Sequence, residues 1–444
     1  MRYPIEFSQN TLVYNNHHLQ TVKMKHCWIE TINGKKPGKE MDYNTMAFVE
    51  KRKNMLTVIQ RNTQVNSLHK YFSKILFLLH ITGVDVTSCP ESVKTNKLCR
   101  WLWQSPKYIF NLCVLSILYI QLNWLITQRE KRKEVALFFI LLIQSSAHYR
   151  LHVSRQRIGT WLENLSKVAN KLQYSGNSRR LKIFVWLYCI TFSLLVIGLM
   201  AWHFYSGENE EVLKQCSRSF AEVKIFKDSF KYCYTIQCIM MIVFPLVLGG
   251  ILVPFTAFYS FTCIYIYLLY DKLNSQLRNS VVLKEFHRLL VACEVINDVV
   301  TSLDDHFSYS AFVTVLSSMA GIFRASFVLL FEGEKNPMTL IYYAIAGLLY
   351  LAVFLSTILS ASAATQEGRI AKELIVSLPG KFPSHYKELK VTLRKHFKRE
   401  VVLTLWKMYT IERSILISAL GTLVTYGILI ATLGNVGNGK VGND

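Results

Sequence analysis

Few residues in this chain could do chemistry, and their setting decides what that chemistry is. The stretch Gly434-Asn435-Val436-Gly437-Asn438-Gly439-Lys440 satisfies the GxxxxGK phosphate-loop pattern. Val441 stands where a magnesium-binding Ser or Thr is required, and no strand precedes the stretch and no helix is expected after it, so it reads as a chance match in a flexible tail. HExxH and GxSxG are absent. The long apolar segments contain almost no acids. These features predict a protein that is not an enzyme and that holds no cofactor or metal.

Two other groups of residues point to recognition and permeation. Arg324 lies inside an apolar segment, where a cation is costly and is usually functional or paired. Trp202, His203, Phe244, Tyr342 and Tyr343 fall at similar depth in neighbouring segments, so a guanidinium among rings could hold a small polar ligand by hydrogen bonds and stacking. The plainer reading pairs Arg324 with Glu332 or Glu334 and makes the aromatics an interfacial belt. The second group sits in the last apolar run, 415–433, where Ser418, Gly421, Thr422, Thr425, Tyr426, Gly427 and Thr432 interrupt the aliphatics. Small and hydroxyl residues belong where helices approach closely or meet water. Copies of this helix around an axis would form a pore lined by Thr425, Tyr426, Leu429, Thr432 and Leu433, with a leucine constriction that gates by dewetting. Tight packing inside one subunit is the other reading.

The elements that must position these residues are membrane spans. The chain is 51% hydrophobic with a mean hydropathy of +0.23, too apolar for an ordinary soluble protein of 444 residues. Its net charge of +22 suits loops beside anionic lipid rather than nucleic acid. The 10 cysteines show no repeated spacing, and only Cys216 and Cys233 stand out as a pair open to oxidation. Seven segments have the length and hydropathy of spans: 108–127, 135–149, 183–203, 235–270, 307–331, 338–361 and 415–433. The fourth is overlong and reads as broken by Pro245, Gly249, Gly250 and Pro254.

Residues 1–64 read as a partly disordered cytoplasmic arm. The stretch 65–107 holds a short apolar patch at Ile75–Leu79, expected as an interfacial or re-entrant helix. Of the Lys and Arg outside the spans, 39 lie on the side that includes the N-terminus and 11 on the other. The distribution predicts a cytoplasmic N-terminus and, after seven crossings, an extracellular tail at 434–444. The basic stretch QREKRKE at 128–134 and the sequon at Asn164 run against that assignment. Two regions on the basic side look structured. Leu273, Leu277, Val281, Val282, Phe286, Leu289, Cys293, Ile296, Val300 and Leu303 form one helical face within loop 271–306. Tyr386, Leu389, Leu393, Phe397 and Val401 repeat the pattern within 362–414. Such stripes either pack together as a cytoplasmic bundle, making 362–414 anchor helices, or lie on the lipid surface.

A Trp406-containing amphipathic lead-in followed by Gly421-Thr422-Leu423-Val424-Thr425-Tyr426 resembles the last-helix signature of the arthropod gustatory receptors. In better-known insect members the Thr-Tyr pair is followed after five residues by Gln-Phe; Thr432 and Leu433 occupy those places, a variant that resembles chelicerate or crustacean members. The resemblance implies an all-α, seven-transmembrane plasma-membrane protein with spans 1–6 within 108–361. It implies a tetrameric, ligand-gated, nonselective cation channel detecting small-molecule tastants, homomeric or mixed with related subunits, and related to insect odorant receptors. It also implies that four copies of the last helix line the pore, and that the ligand enters an outer pocket among the second to sixth helices. The alternatives are a G-protein-coupled receptor, which lacks here both a DRY-like motif and NPxxY, and a small-solute transporter, whose internal repeats are not apparent.

Overall fold

The computed structural model describes residues 72–84, 97–127, 131–172, 174, 230–279, 283–331, 337–377, 380 and 401–438, with scattered positions in 183–193 and 386–393. All belong to one compact unit, Asn62–Asp444. The N-terminal arm, Trp202, His203, Cys216, Glu332, Glu334 and the stretch 439–444 lie outside the described residues.

The described elements are helices α1 (Phe72–Ile81), α2 (Lys97–Thr127), α3 (Lys131–Val153), α4 (Arg155–Lys171), α5 (Phe230–Asn279), α6 (Leu283–Phe331), α7 (Pro337–Ser377) and α8 (Ser414–Asn438). A two-stranded hairpin, β1 (Thr404–Leu405) and β2 (Tyr409–Thr410), precedes α8. At a rise of 1.5 Å per residue, α5 and α6 are each about 75 Å long, against a bilayer core of about 30 Å. Among the described residues, three helical stretches are long and apolar enough to cross a membrane: Gly249–Asn279, Phe286–Leu330 and Leu340–Ser377. The helices of the first and second spans, α2 and α3, and α8 itself cover the corresponding expected segments.

α5 is apolar all round, which is the pattern of a helix enclosed by others. From Phe255 to Tyr270 it is almost wholly buried, against α6 and α7 above all. Phe258 packs edge-on to Phe307 at 5.5 Å and at 6.1 Å to Trp161, whose indole N–H donates to the Val299 carbonyl. Polar ties hold the same core in register: Tyr270 donates to Asn297 Oδ1 at 2.7 Å and Asn274 Nδ2 to Glu367 at 2.9 Å. The predicted stripe is buried at each described position, from Leu273 to Leu303. It is carried by two helices rather than one, because the chain reverses between Asn279 and Leu283. Each such Leu, Ile or Phe withdrawn from water contributes about 1.5–3 kcal/mol, which favours a packed bundle over helices lying singly on lipid.

Four further expectations change. Pro245 and Pro254 do not break the fourth segment; α5 runs continuously through them. Gly250 instead makes room for a neighbour, since a Cβ there would lie 2.8 Å from the Phe110 ring of α2. The short apolar patch forms α1, but Phe72, Ile75, Leu76 and Leu79 are buried in protein, with Phe72 edge-on to Phe261 at 4.6 Å. Its end is fixed where His148 Nε2 donates to the Thr82 carbonyl at 2.8 Å and Gly83 turns at φ +88°. Within 362–414, α7 continues to Ser377, and residues 401–413 are not helical but hold the hairpin 404–410. α8 extends to Asn438, so the GxxxxGK match begins inside a helix and not in a free tail.

Candidate functional site

α8 is uncharged throughout and begins on the core: Ala419 is buried, and Ile415 and Leu416 pack beside it. Above that first turn cover is lost on nearly every side. Ile417, Val424, Tyr426, Ile428 and Leu429 are all more than half exposed, and Ser418, Gly421, Thr422 and Thr425 are exposed with them. A Cβ on Gly421 or Gly427 would meet nothing within 4 Å, so neither glycine serves close packing within the subunit. Ser418, Thr422, Thr425 and Leu429 recur at three and four residues and share one face. Thr422 and Thr425 donate their hydroxyl protons to the carbonyls of Ser418 and Gly421, both at 2.8 Å. With the protons engaged on the helix, each hydroxyl turns an oxygen lone pair outward. Thr432 and Leu433 lie within α8, three and four residues past Leu429 and so about one turn further along.

The base of α8 is held by the hairpin, which sequence reading missed. Leu405 and Ile411 point into the core, and the turn closes with Met408 N–H donating to Leu405 O at 3.0 Å. Its central residues, Trp406 and Lys407, have φ of 49° and 60°. This left-handed pair is normally Asn-Gly and is unfavourable for Trp and Lys. α6 offsets the strain. Trp406 N–H donates to Ser308 O at 3.1 Å, and its indole lies 5.6 Å from Tyr309 and 5.4 Å from Phe312. Asp304, only 5% exposed, accepts from Thr404 N at 2.6 Å and from Thr404 Oγ1 at 2.9 Å, and pairs with Lys407 Nζ at 3.0 Å. Lys407 also donates to Asp305, and that bond, with the Asp304 carboxylate beside it, raises the ammonium pKa. On the α7 side Arg369 pairs with Glu412 at 2.7 Å and Thr365 Oγ1 accepts from Leu403 N–H. The β-branched and aromatic content on both sides of Trp406-Lys407-Met408 was the available signal.

The expected ligand residues are partly brought together. Arg324 is on α6, exposed, and within electrostatic range of Tyr342 and Tyr350 on α7. The Tyr342 and Tyr343 rings meet edge-on at 5.2 Å. Tyr342 is half-buried beside Val253 of α5 and Ala346, Leu349 and Val353 of α7, with Tyr188 and Ile345 against the same cluster. Tyr188 donates to the Val253 carbonyl at 3.1 Å. Phe244 is on α5 nine residues before Val253, its side chain outside the description. Tyr188 and Tyr350 were not foreseen as neighbours of this region. A guanidinium, several phenols and an aliphatic floor suit a small, partly apolar molecule with one or two hydrogen-bonding groups.

No protein-family model matches the chain, and no curated protein does. Among solved structures it is similar to the insect olfactory receptor OR5 from Machilis hrabei in complex with eugenol, with a TM-score of 0.57 and 12% identity, covering 83% of this chain and 100% of that one. A second structure of the same receptor gives a TM-score of 0.55 at 12% identity, over 83% and 99% of the two chains. The chain therefore has the fold of that receptor.

Proposed function

We propose that this chain is a chemoreceptor subunit of the gustatory type, four copies of which form a small-molecule-gated, nonselective cation channel in the plasma membrane. The observation that carries the reading is α8. The segment leading into it is clamped to α6 and α7 through Thr404 and Glu412, while its apolar, uncharged upper part is uncovered in the single subunit. The small and hydroxyl residues along it suit contact with other protein or water rather than lipid, and the face carrying Ser418, Thr422, Thr425 and Leu429 is suited to water and ions. The outward hydroxyl oxygens favour cations, and Leu429 with Leu433 would form the constriction. A fold shared with a receptor solved with eugenol supports a small organic ligand, held near Arg324, Tyr342 and Tyr343 with Trp202, His203 and Phe244 at similar depth. In this reading the ends of α5, α6 and α7 around 271–306 and 362–377 project into the cytoplasm, and the C-terminus is outside.

The test is expression of the full chain with terminal tags and recording from excised patches against a tastant panel, without nucleotide. Agonist-dependent cation current with an external C-terminal tag is the expected result. Surface-expressed protein with an internal C-terminus and signalling only through a G protein would overturn it, as would flux that saturates with transported solute.

A further inference from the structure

We propose that the hairpin 404–410 is the linkage through which movement of α6 and α3 sets the position of the last helix, so that its grip on α6 fixes the balance between closed and open states. The inference rests on the channel reading for its electrical consequence, but its mechanical part stands on the hairpin alone. Three observations carry it. First, the hairpin is bound to one face of α6 at successive turns: Asp304 takes Thr404 and Lys407, Ser308 takes the Trp406 amide, and Phe312 packs the Trp406 ring. Second, the same ring reaches Tyr309, which α3 also holds; Ser146 Oγ is 2.6 Å from the Tyr309 hydroxyl and the Arg150 guanidinium lies over its ring at 4.7 Å. Third, the turn holds two non-glycine residues at positive φ, a conformation that persists only where surrounding contacts over-determine it.

The physical consequence is a short lever. Only Ile411, Glu412 and Arg413 separate β2 from α8, and the backbone bond from Ile411 N–H to Leu403 O at 2.9 Å closes the hairpin beneath them. A shift or rotation of α6 at Tyr309 therefore cannot be absorbed by slack chain and must move the first turn of α8. Within the hairpin no glycine provides a hinge. Tyr309 and Trp406 act as positioning residues in this scheme: neither is on the proposed pore face nor among the proposed ligand residues.

The test compares the full-length native chain with Asp304→Asn, Lys407→Ala, Tyr309→Phe and Trp406→Phe, and the Tyr309→Phe/Trp406→Phe double variant, at matched surface density. The expected result is a shift of about fivefold or more in half-maximal agonist concentration, or a matching rise in resting current, with single-channel conductance and reversal potential unchanged. The double variant should depart from the product of the single shifts. Unchanged dose response and resting current in all variants would overturn the linkage, and so would altered conductance, which would put the hairpin in the permeation path. Lys407→Ala removes a half-exposed side chain with its ion pairs to Asp304 and Asp305, leaves Asp304 its bonds to Thr404, and keeps the test open where Asp304→Asn fails to reach the surface. Amide exchange on the purified chain provides the arm that does not depend on current. Faster exchange in 414–420 of the Lys407→Ala or Asp304→Asn variant is expected, and unaltered exchange there would overturn the mechanical claim. Faster exchange from a chain that passes no agonist-dependent current would retain the linkage and sink the channel reading.

Discussion

Gly321 of α6 lies flat against the ring of Tyr350 of α7, so close that a Cβ at Gly321 would sit 2.4 Å from the ring carbons. One helical turn along, Gly347 faces Ala325 with 3.2 Å left for a Cβ. Two glycines, one on each helix, thus set the separation of α6 and α7 where Arg324 and Tyr342 are found.

Gly321→Ala should force Tyr350 out of its rotamer or push the helices apart, at a cost of about 1–3 kcal/mol. Thermal unfolding of detergent-purified protein should show the loss, and Tyr350→Leu in the same chain should restore most of it. A Gly321→Ala protein that melts with the native chain would contradict the close approach.

Arg324→Ala and Tyr343→Ala probe the proposed ligand site. Losing a guanidinium or phenol contact worth about 0.5–2 kcal/mol should shift the agonist dose response by roughly 2- to 30-fold, leaving conductance intact. Identical curves for the native chain and both variants would remove the site from this region.

The pore is probed at Leu429, Leu433 and Thr425. Leu429→Ser or Leu433→Ser should wet the constriction and raise resting current, because dewetting depends on an apolar ring. Thr425→Val, which keeps the shape and removes the outward oxygen, should lower cation conductance. Absence of any change in leak or permeation at the three positions would assign α8 to packing.

Asp298, in the part of α6 outside the expected spans, gives a pH-dependent outcome. Partial burial first and the Glu294 carboxylate second raise its pKa from the ordinary Asp value. The folded state then binds the proton more tightly than the unfolded one, so the contribution is full below the ordinary Asp pKa and is lost as pH rises through the folded value. Asp298→Asn should therefore raise the melting temperature slightly near neutrality, and the gain should shrink as pH falls towards about 4. A gain that grows in acid would reverse the assignment.

Much of the architecture was legible in local pattern. Span-length runs of high hydropathy placed α2, α3 and α5–α8, and the periodic stripe through Phe286, Leu289, Cys293, Ile296 and Val300 identified a buried face. Periodicity reports the face that is covered but not the partner that covers it, so α1 read as interfacial or re-entrant with no partner named, whereas Phe258, Phe261 and Tyr265 enclose Phe72. The prolines of α5 looked like breaks for a related reason: the cost of a missing hydrogen bond is local, while the packing that outweighs it is not.

What the chain determined unaided was its division into long apolar helices, the uncharged, hydroxyl-bearing character of α8 and the near absence of acids from the apolar segments, since these follow from composition and spacing alone. What tertiary structure alone decided was the hairpin and its hold on α6. Asp304 and Thr404 are 100 residues apart in sequence, and Trp406 and Lys407 adopt a turn their own preferences oppose. Only the carboxylate, the carbonyl and the rings that α6 brings to them make that conformation stable.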